Sequence, residues 1–170
     1  MKIIIVGAGE VGFHLAKLLS YESLDITLID IDRDRLNYAE GHLDIKTLRG
    51  NASSLALLKE SDVSESELFI AVTGSESVNI TVSILAKQLG SKKTIARISN
   101  TEYINADEKI SFVDIGVDEL ISENGEVMYS HGVSNGGGPF NYQCPGDSIV
   151  KRKIGGSFYN LLYSKWRFNE

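Results

Sequence analysis

The sequence has few of the residues on which several classes of function depend. Its single cysteine, Cys144, excludes an intrachain disulfide framework and a metal site built from several cysteines. The net charge of −6 over 170 residues argues against broad electrostatic attraction to nucleic acid or acidic lipid. No apolar run approaches the roughly 20 residues that span a bilayer, and the opening MKIIIVGAG reaches glycine too early for a signal peptide. These absences predict a cytosolic globular protein that does not bind nucleic acid.

What the sequence does contain, up to about residue 121, is a regular alternation of apolar runs and amphipathic stretches. The pattern predicts strands at 3–6, 26–29, 45–48, 68–72 and 94–98, and a broken one at 112–113 and 120–121. It predicts helices at 10–19, 33–40, 54–60, 78–89 and 101–107, the fourth with Ile80, Ile84 and Leu85 turned inward. This alternation implies a parallel sheet covered on both faces, and the right-handed crossover rule makes it a doubly wound, Rossmann-like α/β fold.

The composition changes after residue 121. The last 49 residues hold half of the 16 glycines, both prolines and the single tryptophan, but no alanine. The stretch SNGGGPFNYQCPGDS is rich in residues that form turns. We therefore expect a Rossmann-like domain over residues 1–121 and an atypical tail over residues 122–170 that is irregular or disordered.

The first predicted strand and helix are joined by GAGEVG, which has the form G-x-G-x-x-G. In this context Gly7 permits a tight turn, Gly9 lets a pyrophosphate approach the backbone, and Gly12 lets the helix pack close to the sheet. The start of the helix supplies free N–H donors for phosphates. Glu10 lies within this loop, and we expect it to contribute its backbone N–H while its carboxylate stabilises the first helical turn.

The second predicted strand ends in Asp30, 23 residues after Gly7. A carboxylate at this position can accept hydrogen bonds from an adenosine ribose, and it repels a 2′-phosphate. Asp30 therefore favours NAD(H) or another adenine nucleotide over NADP(H). We interpret Arg33 and Arg35 as charges on a solvated helix face, and Asp32 as the residue that caps that helix.

Three further motifs, RGNAS (49–53), AVTGSESVN (71–79) and IARI (95–98), follow GAGEVG and LIDID in order. Together these five motifs resemble the TrkA-N family, also called RCK or KTN domains, over roughly residues 1–121. The family consists of cytosolic gating subunits of bacterial potassium uptake systems and potassium channels.

The resemblance implies a role for each matched residue. The diphosphate would be held by Gly7, Ala8, Gly9, Glu10 and Val11, and the ribose by Asp30. The adenine would be bordered by Asn51, where the family often has Asp, and by Ala52, while Thr73 and Gly74 would line the crevice. Arg97, at the end of the fifth strand, is either a phosphate partner or a member of a strand-end salt bridge. Asn79 matches the family pattern T-x-x-[DE]-x-x-N, either as a ligand or as a helix cap.

The function implied is that of a regulatory subunit, not an enzyme, with no catalytic residue and no metal. It would bind NAD(H), with ATP or ADP as the other candidates, and gate a membrane potassium transporter by a conformational change. The resemblance also implies a homo-oligomer formed through the Rossmann domain and a cytoplasmic location, peripheral to the inner face of the cell membrane. The alternatives are a small NAD-dependent oxidoreductase, or a fragment of one, and a structural module that binds no nucleotide. An enzyme would need an acid or base beside its substrate, and His14, His42 and His131 are poorly placed to supply one.

Overall fold

The computed structural model describes residues 1–100, 112, 114–122 and 127–129. Within these residues one sheet contains seven strands: β1 (Lys2–Val6), β2 (Asp25–Asp30), β3 (Lys46–Arg49), β4 (Leu68–Ala71), β5 (Thr94–Ile98), β6 (Glu119–Ser122) and β7 (Val127–Tyr129). The same described segments contain four α-helices between the strands: α1 (Glu10–Leu19), α2 (Arg33–Glu40), α3 (Leu55–Glu60) and α4 (Glu76–Gln88). A 3₁₀ turn, Val63–Glu65, precedes β4.

The strand order is β3-β2-β1-β4-β5-β6-β7, and neighbouring strands from β3 to β6 are parallel. The order reverses direction at β1, which lies between β2 and β4. Such a point opens a crevice at the carboxyl ends of the strands, where ligands of open α/β sheets bind. The predicted doubly wound, Rossmann-like sheet is confirmed.

Both faces of the sheet are buried. Along β1, Ile3 and Ile5 pack in a core with α1 and α2, while Ile4 and Val6 pack on the opposite face with α3 and α4. Successive side chains of a strand point to opposite faces, so a strand covered on both sides must be apolar throughout. This requirement explains the uninterrupted run Ile3–Val6, in which no residue is more than 2% exposed.

Helix α4 differs from its prediction in both its start and its buried face. It begins at Glu76 with Ser75 as N-cap, two residues before the predicted start. Its buried residues are Asn79, Val82, Ser83 and Ala86, whereas Ile80, Ile84 and Leu85 are only partly buried at its flanks. Two polar residues occupy the buried face because each donates a hydrogen bond to a main-chain carbonyl of the sheet region.

A polar network joins the amino ends of β5 and β6, at the edge of the sheet opposite the crevice. Lys93 Nζ contacts Glu119 Oε1 at 2.5 Å, and the Glu119 side chain is only 4% exposed. Lys87 Nζ binds both carboxylate oxygens of Asp118, which also accepts from the Thr94 N–H. Burial raises the pKa of the Glu119 carboxyl, and the hydrogen bond and charge of Lys93 oppose that rise.

The sheet extends beyond the boundary that we predicted at residue 121. Strand β7, at 127–129, falls in the segment expected to be irregular, and it pairs antiparallel with β6. Phe112 lies in a turn and accepts the N–H of Val117, so the predicted strand at 112–113 is wrong at its first residue. The predicted helix at 101–107, His131, Cys144 and most of the tail lie outside the described residues, and the domain boundary stays a prediction.

Candidate functional site

A cleft of about 680 Å³ opens at the carboxyl ends of the parallel strands, at the point where the strand order reverses. Ten of the eleven predicted site residues line it: Gly7, Gly9, Glu10, Val11, Asp30, Asn51, Ala52, Thr73, Gly74 and Arg97. Ala8 is the exception. The fold thus brings together residues from all five motifs, although their roles toward a ligand stay predictions.

Two of the three glycines of the loop, Gly7 and Gly12, are required by close main-chain contacts. Gly7 has φ +104°, and a Cβ there would lie 2.9 Å from the Thr73 nitrogen. A Cβ on Gly12 would lie 1.7 Å from the Gly7 oxygen, so α1 can approach the loop only because this side chain is absent. Both glycines are therefore needed by the fold itself.

Gly9 is not needed by the fold in this way. A Cβ at Gly9 would meet only Nη1 of Arg35, at 3.7 Å, which is an ordinary contact. Among the described residues outside its chain neighbours, no other atom lies within 4 Å of that position. The space over Gly9 is a cradle that a side chain would fill, and it faces the start of α1.

Helix α1 begins at this cradle, and its first backbone N–H groups have no acceptor within the helix. Gly9 is its N-cap, has no side chain to accept a hydrogen bond, and its carbonyl accepts the N–H of Phe13. Glu10, exposed in the first turn, is placed where a carboxylate stabilises the helix start. The geometry at Gly9 and α1 suits a phosphate.

Asp30 holds the loop by its carboxylate. Its Oδ2 accepts the N–H of Ala8 at 2.5 Å, and its Oδ1 accepts the N–H of Asp32 at 2.8 Å. The Ala8 N–H is therefore already engaged by the protein, and Ala8 borders a neighbouring hollow beside Phe13 and Tyr38. Each carboxylate oxygen retains a second lone pair for a hydroxyl donor.

The far wall of the cleft follows β3. Gly50 N–H donates to the Asp30 carbonyl, which fixes this turn against the end of β2. Asn51 Oδ1 accepts the N–H of Ser53 at 2.9 Å, so its side chain shapes the turn while the residue stays exposed. Ala52 is buried, and with Ile29 it contributes to the apolar core on that side. This wall combines an apolar surface with an amide, as is common in small-molecule sites.

The opposite wall is held by Asn79, whose role the sequence left open. Its Oδ1 accepts the N–H and the hydroxyl of Thr73, and its Nδ2 donates to the carbonyls of Thr73 and Arg97. Asn79 is 1% exposed, and the cap of α4 is Ser75. Its amide therefore fastens the end of β4 to the end of β5.

A second side chain of α4 continues this fastening. Glu76 Oε2 accepts the N–H groups of Ser99 and Asn100, at 2.9 and 2.8 Å. Arg97, whose carbonyl is bound by Asn79, precedes the two residues that Glu76 binds, and it lines the cleft. The T-x-x-E-x-x-N pattern thus positions the residues on this side of the crevice by contacts to main-chain atoms.

The sequence did not identify Arg35 as a residue of the cleft. We interpreted it as part of a solvated helix face, yet it lines the cleft and its Nη1 reaches the space over Gly9. The signal that would have found it is its position in the first turn of α2, directly after the strand that ends in Asp30. Helix starts in this fold meet at the edge where the ligand binds.

The cleft is lined by few ionisable side chains. Its charged side chains are Glu10, Asp30, Arg35 and Arg97. His14 contacts a carbonyl of its own helix and His42 contacts the Tyr38 carbonyl of the preceding helix, both at 2.7 Å, and neither lines the cleft. Among the residues that the structure describes, no group of three or more His, Cys, Asp or Glu could hold a metal ion.

Comparison with protein families now decides the classification. A model of the TrkA-N domain matches residues 3–123, which is more than half of the chain. The chain belongs to the TrkA-N family. The resemblance seen in the five motifs is thereby confirmed.

Curated relatives of this TrkA-N chain are much longer than the chain itself. The Trk system potassium uptake protein TrkA of Halomonas elongata is 38% identical over 132 residues, which cover 77% of this chain and 29% of that protein. The matches to three such relatives span 24% to 29% of their lengths. The chain therefore corresponds to a part of these proteins.

Solved structures share the fold. The TrkA-N domain of the inner membrane protein ybaL from Escherichia coli has a TM-score of 0.62 at 16% identity, covering 71% of this chain and 86% of that domain. The GsuK channel bound to NAD has a TM-score of 0.60 at 16% identity, covering 70% of this chain and 21% of the channel chain. Across the part of the TrkA-N chain that the structure describes, no helix has the length and apolar character needed to cross a bilayer.

Proposed function

We propose that this TrkA-N domain binds an adenine nucleotide in the cleft, with NAD(H) as the first candidate and ATP or ADP as the others. The observation that carries the proposal is the cradle over Gly9, which the fold does not need and which faces the unpaired donors of α1. The N–H groups of residues 9–11 would hold phosphate oxygens. The carboxylate of Asp30, fixed by two backbone N–H groups, would accept the ribose hydroxyls.

The rest of the nucleotide would follow the two walls. Adenine would lie against Asn51 and Ala52, and the distal half of a dinucleotide, or the terminal phosphates of ATP, would reach Thr73, Gly74 and Arg97. This arrangement favours an unmodified ribose, since Asp30 would repel a 2′-phosphate.

We propose that nucleotide binding serves regulation. The domain would be the nucleotide-sensing part of a cytoplasmic subunit that gates a bacterial potassium uptake system, at the inner face of the membrane and as a homo-oligomer. The family membership and the names of the curated relatives support this proposal. A ligand shifts a conformational equilibrium only when it binds one state better than another. The linked ends of β4 and β5 are suited to report such a difference, because Asn79 and Glu76 connect them to α4.

The alternative of a small NAD-dependent oxidoreductase receives less support. Hydride transfer requires a group that polarises or deprotonates the substrate. The charged groups of the cleft are two arginines and two carboxylates, and one of these carboxylates is already engaged by Ala8 and Asp32.

Calorimetric titration of the purified chain with NADH, ADP and ATP tests nucleotide binding. We expect Asp30→Ala to weaken each ligand at least about tenfold, since its charged hydrogen bonds to ribose are lost. Asp25→Ala removes an exposed carboxylate from the other end of the same strand and should leave binding unchanged. Wild-type affinity in Asp30→Ala would refute the ribose assignment.

The regulatory role needs a separate measurement. Potassium uptake in cells that depend on a membrane transporter subunit and this protein should respond to Asp30→Ala. Steady oxidation of NADH with a panel of carbonyl substrates would instead support the oxidoreductase. The identity of a nucleotide that copurifies with the chain would decide between NAD(H) and ATP or ADP.

A further inference from the structure

Arg35 extends from α2 to the cradle at the start of α1. Its Nη1 is the only atom, among the described residues outside the chain neighbours of Gly9, within 4 Å of the Cβ position of Gly9. The side chain is 57% exposed, so a ligand in the cleft can reach it. Arg35 also borders a second hollow of about 410 Å³ beside Phe13 and Tyr38, and it therefore stands between the two.

The direction of Arg35 is set by its neighbour Asp32. One carboxylate oxygen of Asp32 caps α2 by accepting the N–H groups of Asp34 and Arg35. The other oxygen lies 3.5 Å from Arg35 Nε. The same carboxylate thus fixes both the backbone and the inner edge of the guanidinium. Nη1 is left directed to the space over Gly9.

We propose that Arg35 is a phosphate-binding residue, and that it holds the 5′-phosphate of an adenosine nucleotide over Gly9. This inference rests on the proposed function. A guanidinium matches phosphate geometry with a fork of N–H donors, and it keeps its charge at every physiological pH. Here it would close, from the α2 side, a phosphate site whose other donors are the first N–H groups of α1.

Arg35 is a positive charge in a cleft that also contains two carboxylates. Glu10 and Asp30 both lie close to the predicted path of the phosphates, and either carboxylate would repel them. Asp30 is partly neutralised by two backbone N–H donors, but Glu10 is exposed in the first turn of α1. Arg35 supplies the positive charge that offsets them on the adenosine side, while Arg97 lies on the opposite wall.

A 2′-phosphate is a different ligand for the same guanidinium. It would lie beside the Asp30 carboxylate, whereas Nη1 is directed to the start of α1. The geometry therefore favours the 5′-phosphate, and the two possibilities give different results with NADPH and ADP.

Titration calorimetry of the full chain with ADP, adenosine, NADH and NADPH tests the inference. We expect Arg35→Gln to weaken ADP and NADH about tenfold or more and to leave adenosine unchanged, because adenosine has no phosphate. Arg35→Lys keeps the charge without the fork and should fall between wild type and Arg35→Gln. Arg33→Gln is the matched control, since Arg33 is exposed on the same helix turn and borders neither hollow.

The outcomes separate this inference from the proposed function. Wild-type chain that binds none of these ligands overturns both. Wild-type chain that binds ADP, together with an Arg35→Gln variant of equal affinity, overturns only the role of Arg35. Loss confined to NADPH would assign Arg35 to a 2′-phosphate, and an equal loss of adenosine would assign it to the nucleoside; either result refutes the 5′-phosphate site. A thermal melt of each variant confirms that the fold is intact.

Discussion

Replacing Gly9 and Gly12 by alanine, one at a time, should separate ligand binding from folding within a single loop. The two residues are three positions apart and receive the same added methyl group. Their surroundings differ. A Cβ on Gly9 would meet only Arg35 Nη1, at 3.7 Å, whereas a Cβ on Gly12 would lie 1.7 Å from the Gly7 oxygen. We expect Gly9→Ala to fold and to lose nucleotide, and Gly12→Ala to lose stability.

Gly12→Ala should lower the free energy of unfolding, because the added Cβ would clash with the Gly7 carbonyl oxygen. The Gly7 oxygen cannot rotate away as a side chain would, so the upper part of the usual overpacking cost of about 1–3 kcal/mol applies. Alanine regains about 1 kcal/mol over glycine within a helix. The variant should therefore lose about 2 kcal/mol of its free energy of unfolding.

Gly9→Ala should change stability much less. Gly9 has φ −69° and ψ −172°, which alanine adopts without strain. Alanine is the poorer N-cap by about 0.5–1 kcal/mol, and the restricted unfolded chain returns about 0.4–1 kcal/mol. The two effects nearly cancel, while the methyl group occupies the cradle. We expect NADH and ADP to bind about tenfold more weakly or worse, which corresponds to about 1.4 kcal/mol.

Urea denaturation and calorimetric titration of both variants measure the two quantities. Gly41→Ala is a suitable control, because Gly41 ends α2 away from the cleft and a Cβ there would make contacts of 3.5 and 3.7 Å. A Gly9→Ala variant with wild-type affinity would refute the cradle as the phosphate site. A Gly12→Ala variant as stable as the wild type would show that α1 can shift away from the loop.

Two further predictions concern buried polar groups. Asn79→Ala leaves main-chain groups of Thr73 and Arg97 without their amide partner. At about 1–3 kcal/mol per buried group, we expect urea denaturation to show that the free energy of unfolding falls by about 2–4 kcal/mol. The control Thr81→Ala changes an exposed residue and should cost little, and a loss below about 1 kcal/mol in Asn79→Ala would contradict the fastening role. Burial raises the pKa of Glu119 above its ordinary 4.5, so the carboxyl holds a proton to higher pH in the folded than in the unfolded chain. The protonated carboxyl therefore contributes its full stabilisation below pH 4.5, and this contribution is lost as the pH rises through the folded pKa. The unfolding free energy of wild type relative to Glu119→Gln should therefore fall as the pH rises above about 4.5, and a flat or rising difference would contradict the direction of the shift.

The sequence was sufficient where a local pattern determines the structure. Helices α1 and α2 and strand β5 begin and end as predicted, because their apolar period and their flanking residues act locally. Asp32 caps α2 as expected, since its side chain reaches only two and three residues along the chain. The glycine loop and Asp30 meet in one cleft because parallel strands carry their carboxyl ends to one edge.

What the sequence did not reveal depends on contacts between distant segments. Asn79 is buried because it reaches a carbonyl 18 residues away, whereas the sequence suggested only a ligand or a helix cap. The bond from Ala8 to Asp30 depends on the register of β1 against β2. Strand β7 has only three residues and forms by pairing with β6, so it is too short to be predicted from alternating apolar residues.

The pairing of β7 with β6 also protects the domain from aggregation. Strand β6 is buried along its whole length, and an uncovered edge of such a strand presents free N–H and C=O groups that can template cross-chain sheets. At the other edge, β3 carries the exposed charges of Lys46 and Arg49, which discourage such additions. The matched family region ends at residue 123, before β7 begins. A chain cut at that point would keep its cleft but expose the edge of β6 to aggregation.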